Sequence, residues 1–283
     1  MTYVIHGATG AQGAPVVSAL AAAGRPVVPL ARRAGATAQG PATVAADYSS
    51  AQQLTDLYRG AAGVFVHLPL GAEADRVRYA HNIVAAIREA SPARVVFSTS
   101  GSGGGGLPDP ADSAVSTLTG GLEAGDISYA VVRPRLFLEN LLLPQVVGAA
   151  REEGALRYPL RADFPVSWAS HLDIADVVAD LFDRPDVTGT IDVGQLPAIT
   201  GPDLAGAFGA HLGREVSYEA ITPAAFGESI APLLGEGPAA GVAGLYQALG
   251  ELTDHAIAPE RSAQKLLGRD PRSTDRWLAE LGL

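Results

Sequence analysis

The sequence predicts a doubly wound α/β fold carrying a small, mostly helical C-terminal lobe. Three observations support this. Short apolar runs alternate with segments of helical period through the first half of the chain, the signature of βαβ units and a parallel sheet. Two of those runs, GVFVHL and RVVFSTS, are nearly continuous in apolar residues, as strands buried on both faces of a parallel sheet must be. Finally, Gly7, Gly10 and Gly13 fall between the first apolar run and the first helical segment.

Taken in order, residues 2–6 read as the first strand and 12–23 as a helix that stops at Gly24. Strands follow at 26–30 and, briefly, at 43–46. A helix at 52–60 leads to a fourth strand at 63–68, and a long helix at 73–90 to a fifth at 94–98. Residues 113–124 read as helix and 128–133 as the sixth strand, with 190–193 as a seventh. The stretch 101–110, GSGGGGLPDP, is of low complexity, and four successive glycines cannot fix a backbone unaided. Placed after the fifth strand, it reads either as a linker or as a lid over the sheet's carboxyl edge. From residue 156 onward short helices rich in Pro and Gly run to the end, with 231–249 the most apolar. The expected division is a nucleotide-binding domain over 1–155, joined by a strand and helix near 171–194. Residues 156–283 then mainly form a lobe that covers the carboxyl edge of the sheet.

Composition narrows the function. The chain has 283 residues, 47% of them hydrophobic, enough for a sizeable core. A formal net charge of −10 argues against nucleic acid as a partner. With no cysteine, disulfides and thiolate zinc sites are excluded, and the six histidines show no metal-ligand spacing, so no metal is expected. No apolar run reaches the roughly 20 residues of a membrane span. A strand that starts at Thr2 leaves no room for a leader, so a cytoplasmic protein is expected, as monomer or homodimer.

The strongest motif is VIHGATGAQGAPVVSAL. Its Gly7, Gly10 and Gly13 stand at GxxGxxG spacing between strand and helix, which is the context a dinucleotide fingerprint requires. One glycine permits the turn, one lets the backbone approach a pyrophosphate, and one lets helix and strand pack closely. The pyrophosphate then rests on the helix N-terminus, where unpaired N–H groups and the helix dipole favour an anion. The fold expected is therefore a Rossmann domain. NAD-binding versions place an acid at the end of the second strand to hold the ribose hydroxyls. Here no acidic residue precedes Asp47, and Arg32 and Arg33 occupy that place. Two guanidiniums suit a 2′-phosphate, so the expected cofactor is NADPH. Asp47 and Tyr48 read either as flanking the adenine or, for Asp47 or Ser49, as an ordinary helix cap.

The segments GATGAQG, VVFSTSG, YAVVRPRLFLEN, HLDIADVVADLF and LGRDPRSTDRWLAELG together resemble the NmrA-like branch of the atypical short-chain dehydrogenases/reductases. The resemblance spans nearly the whole chain with the motifs in order. It implies either a reductase of quinones or other small carbonyl compounds, or a redox-sensing regulator that binds NADP without turnover. It further implies that Gly7, Thr9, Gly10, Gln12 and Gly13 form the phosphate loop and that Arg32 meets the 2′-phosphate. His67, Leu68 and Pro69 are implied to pass the adenine ribose, and Ser98 and Thr99 to lie near the nicotinamide. The segment from Pro134 to Phe137 is implied to border the substrate.

One departure weighs more than the matches. Ordinary short-chain dehydrogenases protonate the product with a Tyr that is followed, four residues on, by a Lys. The only lysine in this chain is Lys265, and position 261 is Arg. Ser98, Thr99 and Ser100 remain as candidate donors to a developing oxyanion, too weakly acidic to act alone. Phe137, Asn140, Trp168 and His171 are candidate pocket residues, with Glu139 a further one. Trp168, Tyr158 and Phe164 read either as core or as a wall for a flat substrate. His171 reads either as a site residue or as a helix cap, and Asn82 as a polar group bonded to backbone.

The leading reading is an NADPH-dependent ketoreductase or quinone reductase of a small aromatic compound, such as a secondary metabolite of antibiotic biosynthesis. It would work by substrate-assisted hydride transfer. The alternative is a non-catalytic NADP sensor acting through a protein partner. An epimerase with captive NAD is weaker, since that chemistry also relies on Tyr and Lys.

Overall fold

The protein is seen here as a computed structural model that describes residues 2–35, 41–101, 106–107 and 109–282. Its frame is laid down by the alternation read from sequence. β1 (Thr2–Ile5), α1 (Gly13–Ala22), β2 (Val27–Ala31) and β3 (Val44–Ala45) are followed by α2 (Ala51–Tyr58) and β4 (Ala61–His67). Then come α3 (Glu73–Ala90), β5 (Val95–Ser98), α4 (Ala114–Glu123) and β6 (Tyr129–Pro134). The bounds of α3 are those expected from its period. Glu73 and Asp75 favour its N-terminal dipole, and Ser91 ends it in the left-handed conformation at φ 48°. α2 is capped by the Ser50 hydroxyl on the Gln53 N–H, and not by Asp47 or Ser49. Asp47 instead closes a turn on the Ser49 N–H and hydroxyl.

Beyond β6 the chain forms β7 (Leu136–Phe137), a 3-10 turn (Leu138–Leu142), α5 (Pro144–Glu152), β8 (Ala155–Tyr158) and β9 (Trp168–Ala169). It returns through α6 (His171–Asp183) to β10 (Gly189–Val193), then builds α7 (Gly201–Leu212) and β11 (Ser217–Ala220). α8 (Pro223–Leu234), α9 (Glu236–Gly250), α10 (Ala263–Leu267) and α11 (Thr274–Leu281) complete it. The apolar stretch 231–249 belongs to two helices, broken at Gly235 where φ is 86°.

Seven strands form one sheet in the order β10-β6-β5-β4-β1-β2-β3, and every pair is parallel. The order reverses between β1 and β4, so a crevice opens outside their carboxyl ends, where sheets of this kind bind ligands. Both faces are buried, which explains the unbroken apolar runs. Val64, Val66, Val95 and Phe97 face α2, α3 and α4. Ile5, Phe65, Val96 and Val132 face α1 and α6. At the edge, buried Asp192 of β10 receives Arg133 Nε at 2.7 Å and Arg135 at 3.4 Å, and Arg261 lies 3.5 Å away.

A third core, drawn from Leu136 to Leu278, lies in the C-terminal lobe. The parallel pairs β8–β11 and β7–β9 run through it. The sequence predicts a mostly helical lobe and does not mark these strands, because strands of two to four residues are too short to show a period of two. Among the described residues no helix is long and apolar enough to cross a membrane.

Candidate cofactor and active site

The segment from His6 to Gly13 joins β1 to α1 at the switch point. Gly7 turns the chain at φ +60°, and the Gly10 N–H bonds back to the Gly7 carbonyl at 2.8 Å. A Cβ on Gly13 would stand 2.2 Å from that carbonyl oxygen and 2.5 Å from the His6 carbonyl oxygen, so only glycine lets α1 approach the strand so closely. Thr9 and Gly10 are exposed at the crest. α1 begins with no side-chain cap and no acid in its first turn. An N-terminus left open in this way fits an anionic group.

Gln12 is buried and turns inward. Its Oε1 accepts the Ser98 hydroxyl at 2.7 Å, and its Nε2 donates to the Ser100 hydroxyl at 3.0 Å. The loop is thereby clasped to the carboxyl end of β5. This changes the reading of the three candidate oxyanion donors. The Ser98 proton is committed to Gln12. Thr99 is buried with no partner for its hydroxyl among the described residues. It lines a cavity of about 400 Å³ beside α4, together with Ser116, Thr119 and Arg133. Ser100 alone is exposed, at φ +59°. Of the segment 101–110, residues 102–105 and Pro108 lie outside the described residues.

Arg32 and Arg33 follow β2 directly, and both are exposed, with no side-chain partner among the described residues. Tyr48 is buried against His6, ring centroids 5.0 Å apart, with its hydroxyl bonded to the Gly7 backbone. It therefore props the loop from beneath. Asn82 donates to the Tyr48 carbonyl at 2.9 Å, the backbone bond expected of it. Leu68 is buried in the core on the α2–α4 face, while Pro69 is half-buried.

His67 closes β4 beside the loop, its Nδ1 3.3 Å from where a Cβ on Gly7 would be. Burial, then the nearby His171 and Arg76, push its pKa down to about 4. His6, below it, is fully buried and bonded to the Tyr58 hydroxyl at 2.6 Å. Burial and the neighbouring His67 push His6 down to about 3.

His171, near enough to His67 to act on it electrostatically, opens α6. It is not the cap: Ser170 is, in a capping box with Asp173. The His171 ring packs on Phe137 with centroids 4.4 Å apart, and its Nδ1 lies 3.7 Å from Glu139 Oε2. Glu139 Oε1 accepts from Ser170 Oγ at 2.8 Å, from the His171 N–H at 3.0 Å and from Trp277 Nε1 at 3.2 Å. Burial holds the His171 pKa below its ordinary value, opposed by Glu139. The Trp277 contact had no signal in the sequence, because it joins residues 138 positions apart.

The remaining pocket candidates stand elsewhere. Trp168 is 1% exposed and packs edge-on against Tyr158 in the lobe core, with Phe164 also buried there. Of the two readings open for these three, core or wall, the structure has core. Asn140 is spoken for by the hydroxyls of Tyr158 and Tyr246. Among the described residues, neither tyrosine beside the loop is activated for proton donation. Burial raises Tyr48 to about 12 and Tyr58 well above its ordinary value. Lys265 is exposed on α10, remote in sequence from these residues.

A switch-point crevice, a glycine turn beneath an uncapped helix and a β5 end clasped to that turn define a Rossmann-type dinucleotide-binding protein. The NmrA-like family model matches residues 1–278, and the chain belongs to that family. It is 30% identical, over 233 residues covering 77% of each chain, to the NAD(P)H azoreductase of Xenophilus azovorans. The triphenylmethane reductase of Citrobacter sp., solved with NADP(H), superposes with a TM-score of 0.79 at 17% identity over the whole of both chains. An NADPH-dependent quinone oxidoreductase of Escherichia coli, solved with NADPH, does so at 0.71 and 20%, again over both whole chains. These two likenesses show the shared fold.

Proposed function

We propose that this protein is an NADPH-dependent oxidoreductase that reduces a small aromatic acceptor, a quinone or a ketone beside a phenol. The observation that carries the reading is the phosphate loop, clasped by Gln12 to β5 and followed at the end of β2 by two exposed arginines. The 30% identity to an enzyme named NAD(P)H azoreductase supports the same class. NADPH, when bound, supplies a hydride.

The protein's own residues bind and position. Gly7, Gly10 and Gly13 admit the pyrophosphate to the backbone, and the α1 N-terminus meets its charge. Arg32 and Arg33 hold the 2′-phosphate, with His67, Pro69 and the Leu68 backbone along the ribose. The sheet domain holds the cofactor, and Phe137, after β6, and His171, at the start of α6, meet the substrate. With no Tyr/Lys pair in the chain, acceptors that spread the incoming charge are favoured. A quinone gives an aromatic hydroquinone anion, and a ketone beside a phenol takes an internal proton. Hydride transfer is thus substrate-assisted, and the protein contributes chiefly orientation.

The test is NADPH oxidation followed against quinones, hydroxyquinones, azo dyes, hydroxyaryl ketones and simple ketones. Turnover is expected with the delocalised acceptors and little with simple ketones. NADPH binding without oxidation by any of them would overturn the reading in favour of a cofactor sensor.

A further inference from the structure

We propose that His171, aligned by Glu139, delivers the proton that completes reduction of the acceptor. This rests on the reductase reading and concerns its quinone acceptors: the quinone spreads the charge, and the imidazole supplies the proton that a quinone, unlike a ketone beside a phenol, does not carry.

The geometry is specific to these two side chains. Glu139 sits in the 3-10 turn after β7, its Oε1 pinned by three donors from the α6 N-terminus and α11. Its other oxygen, Oε2, is buried and lacks a hydrogen-bond partner among the described residues. Facing that oxygen, at 3.7 Å, is His171 Nδ1. A carboxylate oriented through one oxygen and left open at the other toward an imidazole is arranged to hold an imidazolium when one forms. Phe137 packs against the ring, which is half-buried.

The charged groups around His171 have distinct parts. Burial lowers the His171 pKa, and Glu139 opposes that fall. His67, from β4, is held neutral by burial. Asp173, on the same helix, is taken up by the Ser170 N–H and by Arg272. Arg272 is shared in turn with Asp176 and Glu280. Glu139 is thus the carboxylate available to the ring.

The step balances. The acceptor gains a hydride from NADPH, which becomes NADP⁺, and a proton from His171 Nε2. The N–H bond of the imidazolium breaks as the acceptor O–H bond forms. The neutral ring then takes a proton from solvent.

The experiment measures turnover of NADPH and a quinone against pH for the parent, His171→Gln and Glu139→Gln. NMR titration of the His171 ring in the parent and in Glu139→Gln accompanies it. His171→Gln is expected to lower kcat about a hundredfold, with NADPH affinity retained, and to abolish the fall in rate as pH rises. Glu139→Gln should move that fall, and the ring titration, to lower pH, because the charge that favours the imidazolium is gone. His171→Gln within threefold of the parent with an unaltered pH profile would overturn the proposal. So would a ring titration indifferent to Glu139→Gln, whatever the activity. Turnover by the parent tests the reductase reading separately.

Discussion

Gln12 and Ser98 share a buried 2.7 Å hydrogen bond across 86 positions of sequence, the Ser98 hydroxyl donating to the Gln12 amide oxygen. The bond ties the phosphate loop to β5, so cofactor binding and sheet integrity are linked through it. Ser98→Ala leaves that amide oxygen buried and unpaired, a loss of about 1–3 kcal/mol. Denaturant unfolding should register it, together with weaker NADPH binding. Ser100→Ala, at an exposed position, should cost clearly less.

Cofactor choice rests on the end of β2. Each arginine offers the 2′-phosphate charge-assisted bonds of about 1.5–3 kcal/mol, so NADPH should bind at least about tenfold more tightly than NADH. Arg32→Ala should remove most of that difference and leave NADH affinity nearly unchanged. Equal affinities in the parent, by calorimetry, would show the pair to be mere surface charge.

Two glycines of the loop should fail in different ways. A Cβ on Gly13 meets backbone oxygen at 2.2 Å, so Gly13→Ala should destabilise the fold itself. A Cβ on Gly10 meets the Gly7 carbonyl oxygen at 3.2 Å, a contact that a small shift relieves. Gly10→Val should therefore keep the fold and lose NADPH, its branches filling the pyrophosphate's approach. Circular dichroism and calorimetry together separate the two outcomes.

Acid should unfold the apoprotein through its buried histidines. His6 and His67 are depressed to about 3 and about 4, below the ordinary 6.5. The unfolded chain therefore binds more protons, and stability present above pH 6.5 is lost as pH falls toward those values. Each contributes a slope of up to about 1.4 kcal/mol per pH unit. His67→Asn should flatten the slope between pH 6.5 and 4 in denaturant titrations. An unchanged slope would place the acid sensitivity elsewhere.

No tyrosine is expected to act as the general acid. Single Tyr→Phe changes at Tyr48 or Tyr58 should lower kcat by less than about tenfold, against the 10²–10⁴ expected of an acid. A thousandfold loss at either of them, with cofactor affinity intact, would identify a donor that the geometry does not reveal.

Much of the sheet was legible because strands buried on both faces carry continuous apolar stretches, as 64–66 and 95–97 do. The phosphate loop was legible because glycine tolerates both the φ of +60° at Gly7 and the contact at Gly13. The lobe was not. Its strands are too short for periodicity, and of the two readings open for Trp168, core or pocket wall, the structure has core, β9 turning it toward Tyr158. Ser98 stood as a candidate oxyanion donor because nothing in sequence shows that Gln12 takes up its hydroxyl. Nor could the Glu139, His171 and Trp277 cluster be read ahead, since it is assembled from three separate stretches of chain.

The most direct test of the account is a single turnover. Enzyme mixed with stoichiometric NADPH and a hydroxyquinone is followed by stopped flow, and again with NADPH deuterated at the transferred position. The account predicts loss of NADPH in one phase, slowed by the deuterium, with one equivalent of hydroquinone formed. NADPH that binds and stays reduced, or is oxidised at a rate insensitive to deuteration and unchanged by omitting the protein, would contradict it.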